Sequence, residues 1–122
     1  MIKVFLMLRQ QPHLSRAEFI DYWYGQHRLL ARQAAGAMQM RRYVQNHPAV
    51  HPVADALRAG RGAREADFDG IAEAWWDSFE QLAALGNAAD QVAASLMEDE
   101  RRFVDLARSE MFVAEEHVVV GT

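Results

Sequence analysis

The chain has no cysteine, which excludes disulfides, thiolate metal sites and a cysteine nucleophile. That absence suits a reducing cytoplasm. No glycine-rich phosphate loop, nucleotide fingerprint or Ser-His-Asp order is present, so no cofactor is expected. Charge of one sign is also missing. The net charge is -4, with acidic and basic residues interleaved, which leaves neither a nucleic-acid stripe nor a membrane-surface helix. The apolar opening Met1 to Leu8 ends at Arg9 without a small-residue cleavage site and is too short to span a bilayer.

What remains is ordinary globular composition, 51% hydrophobic and 25% charged, in 122 residues, the size of one domain. Ile2 to Arg9 alternates with large hydrophobes in both sets, the pattern of a strand covered on both faces. Ser15 opens a helix with Glu18 at capping-box spacing. That helix is expected to run to about Ala34 and stop at Gly36 in a left-handed cap. Met40 to His47 reads as a second strand. A long Ala49–Asp67 loop follows, with a short helix over Val53 to Ala59.

Phe68 to Asp77 reads as the third strand, with Ile71, Glu73 and Trp75 on one face and Gly70, Ala72, Ala74 and Trp76 on the other. Ser78, with Gln81, caps a helix over Phe79 to Leu85, which Gly86-Asn87 interrupts. Helix is then expected to resume to about Ala107, with Val92, Ala93, Leu96, Phe103, Val104 and Ala107 inward. Phe112 to Val120 reads as the last strand. The order is β-α-β-β-α-β, an α+β ferredoxin-like fold with a four-stranded antiparallel sheet.

Both helices of such a fold cover one sheet face, yet Phe5, Met7, Tyr43, Val44, Trp75, Trp76, Phe112 and Val118 must populate both faces. Leaving four or five of them wet would forfeit on the order of 5–10 kcal/mol. A homodimer through the sheet faces removes that cost; the alternative is a monomer whose Ala49–Asp67 loop covers the open face.

On a helical wheel Phe19, Ile20, Trp23, His27, Leu30 and Ala31 share one arc, opposite Glu18, Asp21, Arg28 and Arg32. His27 therefore faces the sheet. A buried neutral imidazole must find a hydrogen-bond partner, and the neutral form is a usable general base. Two readings stay open: a core histidine satisfied by a strand carbonyl or a tyrosine hydroxyl, or a catalytic base.

The run Phe19-Ile20-Asp21-Tyr22-Trp23-Tyr24-Gly25-Gln26-His27 closely resembles the EthD family, with an F-x-x-Y-W-x-x-x-H core. The apolar first strand, Arg42 to His47, and the tail from Arg102-Phe103-Val104-Asp105 to Glu116-His117 are similar more loosely. The resemblance implies the dimeric α+β barrel superfamily and hence the sheet-paired dimer. Similar barrels include cofactor-free dehydratases, cyclases and oxygenases acting on aromatic polyketides, and muconolactone-type isomerases; the family's namesakes belong to ether-degradation gene sets. By resemblance, His27 is the residue carried over as the proton shuttle of a small hydrophobic substrate. The lactone isomerases that pair a histidine with a cysteine do not fit this cysteine-free chain.

Around His27, Trp23, Tyr43, Trp75 and His47 are the candidate substrate-binding residues: aromatic faces to stack on, and a hydroxyl to hold a carbonyl. Tyr22 lies outside the apolar arc. Glu100 falls at the edge of the second helix's arc and is expected to turn to water or to an arginine. His47 and His51 have a helical metal spacing, but Pro48 and Pro52 argue for a turn, and no metal site is expected. A non-catalytic accessory protein that sequesters a hydrophobic metabolite is the competing reading, and a haem-binding barrel a third.

Overall fold

The computed structural model describes residues 1–122. It contains strands β1 (Ile2–Leu8), β2 (Arg42–Asn46), β3 (Gly70–Trp76) and β4 (Glu110–Glu115). Between them run helices α1 (Arg16–Tyr22), α2 (Arg28–Ala35), α3 (Pro52–Arg61), α4 (Phe79–Ala83) and α5 (Asn87–Glu100). The strands form one antiparallel sheet in the order β2-β3-β1-β4. This is the expected ferredoxin-like arrangement.

Ser15 caps α1 as a full capping box, its hydroxyl accepting from the Glu18 amide while Glu18 accepts from the Ser15 amide. At Ser78 only half of the expected box forms: the hydroxyl accepts from the Gln81 amide, and the Gln81 side chain donates to Gln39 instead. The core joins Leu8 of β1, Phe19 and Trp23 of the first helix, and Phe103 and Val104 beyond α5. The phenyl and indole rings of Phe19 and Trp23 lie 5.6 Å apart, and Phe103 stands 5.8 Å from Phe19.

The first helix departs from its wheel between α1 and α2, where Trp23–His27 forms a π-helical turn. The Trp23 carbonyl accepts from the Arg28 amide, five residues on, and from the Gln45 side chain of β2. The extra residue sets the helix phase back by roughly 100°. Trp23, His27, Ala31 and Ala34 consequently stay on one buried line, whereas Leu30, expected inward, is 40% exposed.

Three expected boundaries also move, each for a backbone reason. Gly36 remains right-handed at φ -62°, and Gln39 takes the left-handed position at φ 54°. There Met40 donates to the Ala35 carbonyl and Gln39 to that of Gly36, a Schellman closure three residues later than expected. The last helix ends at Glu100 rather than Ala107 because the following residues pair with the end of β1. Gln11 donates to Phe103, Asp105 donates to Arg9, and the Gln11 side chain holds the carbonyls of Arg101 and Val104. Phe103 and Val104 are buried as expected, but Ala107 is exposed. Strand β4 stops at Glu115 rather than Val120, since its ladder with β1 runs out at Ile2, and one further bond, from the Glu116 amide to the Met1 carbonyl, closes it. Val118 is therefore exposed and belongs to neither sheet face.

The sheet's faces divide as the alternation predicts. Ile2, Val4, Leu6 and Leu8 share the helix side with Gly70, Ala72, Ala74 and Trp76 of β3. The opposite face carries Phe5, Met7, Ile71 and Trp75 around a charged group, in which Lys3 lies 3.7 Å from Glu73 and 3.5 Å from Glu116. Phe5 and Phe112 meet edge to face there at 6.1 Å, and Phe112 stays 58% exposed. Helix α3 buries none of its residues, so the Ala49–Asp67 loop does not close over this face.

Gly70 seats the first helix on the sheet. A Cβ there would stand 2.8 Å from Cη2 of Trp23 and closer still to its Cζ3. Gly70→Ala is expected to push the indole off the sheet and cost about 1–3 kcal/mol, read as a lower urea midpoint with altered tryptophan fluorescence.

Candidate functional site

The π turn delivers His27 to the inside of the molecule, where it is 3% exposed. Its ring lies 5.0 Å from that of Phe103. Neither expected partner, strand carbonyl or tyrosine hydroxyl, satisfies it. Instead Nδ1 lies 2.8 Å from Oδ2 of Asp99, one residue from the end of α5. The other oxygen of Asp99 accepts from the Tyr22 hydroxyl at 2.6 Å. Both Asp99 oxygens are thus taken, and a buried carboxylate has reason to be there.

This arrangement assigns the tautomer. An ionised Asp99 can only accept, so Nδ1 carries the hydrogen and donates it, which leaves Nε2 with a free lone pair in the neutral ring. Nε2 faces Glu100, 3.9 Å from its Oε1. Burial first, and the neighbouring charge of Asp99 second, push the Glu100 carboxyl up to about 7. Glu100 does not turn to water, as expected from the sequence; it holds a proton near neutrality beside the imidazole.

His27 and Glu100 border a cavity of about 320 Å³ between the sheet and the helices. Trp23, Tyr43, Trp76 and Phe103 supply aromatic walls, and the rest of the lining is almost wholly apolar. The space exists because β3 places Ala72 and Ala74 beneath the helices, opposite Leu6 and Val4, where larger side chains would fill it. Burial raises the Tyr43 hydroxyl above its usual range, so it remains a proton-bearing donor.

Of the candidates from sequence, His27, Trp23 and Tyr43 come together at this cavity, while Trp75 and His47 do not. Trp75 is on the opposite sheet face, under the ammonium of Lys3 at 4.3 Å and donating to Glu116 at 2.6 Å. Strand parity decides this: Trp76, not Trp75, shares a side with Gly70, and Gly70 is where the first helix rests. His47 stacks on the outer side of Trp23 at 4.9 Å, with Nε2 2.8 Å from Oε1 of Gln45, and burial lowers its pKa. His51, far from forming a helical pair with it, caps α3 by accepting from Val53.

Asp99 is not among the candidates from sequence, although its signal is there. Leu96, Asp99, Glu100 and Phe103 form one stripe at helical spacing, so two carboxylates enter an apolar face together. An ideal wheel turns Tyr22 away from the core, yet it is half-buried and reaches Asp99.

An EthD domain model matches residues 11–107 of the chain. HapK from Hahella chejuensis superposes with a TM-score of 0.66 at 10% identity, covering 100% of this chain and 97% of that one. An EthD-like protein from Ralstonia eutropha JMP134 gives 0.59 at 19% identity, with 99% and 94% covered. A protein from Arabidopsis thaliana gives 0.54 at 12% identity, with 98% and 99% covered. At these identities the likeness is one of fold. No curated protein matches the sequence. No helix is long and apolar enough to cross a membrane, and no three His, Cys, Asp or Glu side chains cluster as metal ligands.

Glu100 makes stability depend on pH in a defined direction. Its folded pKa of about 7 lies above the ordinary 4.5, so the fold keeps a proton that the unfolded chain releases. Its contribution therefore falls as pH rises between those values, and above them an ionised buried carboxylate remains as a cost. Glu100→Gln is expected to exceed the parent in stability by roughly 1–3 kcal/mol at about pH 8 and to match it near pH 4, measured by denaturant titration at both.

Proposed function

The chain belongs to the EthD family, and on that premise we propose that it is a cofactor-free proton-transfer enzyme of dehydratase, cyclase or isomerase type. Its substrate is a small hydrophobic aromatic, polyketide-like or lactone molecule bearing a carbonyl. The observation that carries the reading is the buried His27–Asp99 hydrogen bond of 2.8 Å, which turns Nε2 toward a protonated Glu100 at an apolar cavity.

The steps follow from these atoms. Nε2 of His27 takes a proton from the carbon next to the carbonyl, and the electron pair moves onto the carbonyl oxygen as an enolate. Tyr43 donates a hydrogen bond to that oxygen. Glu100 gives its proton to a departing hydroxyl in a dehydration, or to a distant carbon in an isomerisation. The imidazolium then returns its proton to Glu100 once the side chains close the 3.9 Å gap to hydrogen-bond distance, and the cycle closes without an oxidant or reductant. Asp99 stabilises the imidazolium and holds the ring in its productive tautomer; Tyr22 holds Asp99. Desolvation in the cavity strengthens each of these interactions.

Replacing His27 by Ala is expected to abolish turnover while the protein stays folded, as followed by circular dichroism. Retained turnover in that variant would remove His27 from the chemistry, and a parent that binds such substrates without changing them would leave the binding-protein reading. Asp99→Asn, which lets the tautomer flip, is expected to lower kcat by about 10²–10⁴-fold. In the parent, activity should fall as pH rises through about 7 with loss of the Glu100 proton, and residual activity of Glu100→Gln should lack that limb.

We also infer a homodimer through the sheet faces, supported by the exposed Phe112 beside Phe5 and by the lack of any cover from α3. Phe112→Asp is expected to sediment as a monomer; a parent that itself sediments as a monomer sinks this inference.

A further inference from the structure

A second hollow, about 630 Å³ in volume, opens between α2 and the edge strand β2, and its lining differs in charge from that of the His27 cavity. It contains four arginines, Arg28, Arg32, Arg41 and Arg42, and no carboxylate at all. That is unexpected in a chain of net charge -4. Arg41 is committed elsewhere, gripping Asp77 with two hydrogen bonds of 2.9 and 2.6 Å. Arg42 lies over the Trp75 ring at 4.9 Å, on the opposite sheet face, so its charge is turned away from the hollow. Arg28 and Arg32, one helical turn apart on α2, have no acidic partner anywhere in the chain.

Arg28 is held in place without being satisfied. Its guanidinium stacks 4.3 Å over the Tyr24 ring, and its Nε is shut off from water with no acceptor. That nitrogen is closed to a ligand as well, but the two terminal guanidinium nitrogens have no acceptor in the protein and stay accessible. A guanidinium fork offers paired N–H groups to a carboxylate, and with no opposing acid the hollow's field favours an anion. The hollow and the His27 cavity share the wall formed by Ala31, Met40 and Tyr43. One molecule can thus place an apolar body against His27 and a charged end on the arginines.

We propose that the substrate is amphipathic: a compact apolar or aromatic body carrying a carboxylate, which Arg28 and Arg32 bind at the mouth of the cavity. This rests on the reading of the His27 cavity as the substrate chamber. It narrows that reading from any small hydrophobic carbonyl compound to a carboxylate-bearing one, with Ala31 at the junction of the chamber and the arginine-lined hollow.

The test compares 1-naphthoate with the neutral isostere 1-naphthamide by titration calorimetry. The parent is expected to bind the acid at least about tenfold more tightly, and an Arg28→Gln/Arg32→Gln variant to bind both about equally. Arg28→Lys, which keeps the charge but not the fork, should fall between. Arg58→Gln, on α3, should retain the preference. If the double variant does not fold, Arg32→Gln alone decides, since Arg32 is exposed. Equal binding of acid and amide by the parent, a preference that survives loss of the arginines, or no saturable binding of naphthoate overturns the proposal. Binding is read without turnover, so the two readings fail separately. A His27→Ala variant that keeps turnover overturns the chemistry alone, and a parent indifferent to charge overturns the carboxylate site alone.

Discussion

The hydrogen bond between His27 and Asp99 joins the two halves of the molecule. One partner stands in the first helix and the other near the end of α5, 72 residues apart. Burying an imidazole and a carboxylate is costly, and such a pair adds little net stability over well-packed hydrophobes. What it does supply is orientation. Removing either side would leave a buried polar group unpaired, so the two helices are confined to the arrangement in which the pair forms. Tyr22 completes the set, and its own hydroxyl is pushed up first by burial and then by the hydrogen bond to Asp99.

The π turn is the local feature that makes this geometry reachable. A regular helix would carry His27 and Ala31 only toward the edge of the apolar arc, roughly 80° and 120° round from Phe19. One extra residue per turn brings them back, and the Trp23 carbonyl that the distortion frees is held by Arg28 and Gln45. Gly70 beneath Trp23 and the alanines of β3 beneath the cavity complete the fit: a missing side chain seats the indole, and two small ones leave the chamber open.

Electrostatics divides the molecule into three regions of different character. The chamber is apolar with a carboxyl raised toward neutrality. The hollow between α2 and β2 is basic. The open sheet face mixes exposed aromatics with the Lys3, Glu73 and Glu116 group. Each region suits a different task, respectively proton transfer, anion recognition and self-association; the chamber and the hollow adjoin along Ala31, Met40 and Tyr43, and the sheet divides both from the third.

Composition, alternation and capping signals by themselves determined the strand and helix order, the sheet's two faces and the inward placement of His27, because these depend on periodicity and on neighbours a few residues away. Gly70 and Trp76 share a parity that was readable in the chain and would have placed Trp76 rather than Trp75 in the chamber. Only the tertiary structure decided the partner of His27, the π turn, and the end of α5 at Glu100. Each depends on atoms distant in sequence: Asp99 on another helix, Gln45 on β2, and Arg9 to Gln11 competing for the backbone that would have continued the helix. The stop of β4 at Glu115 is of the same kind, set by where β1 begins rather than by the apolar residues that follow.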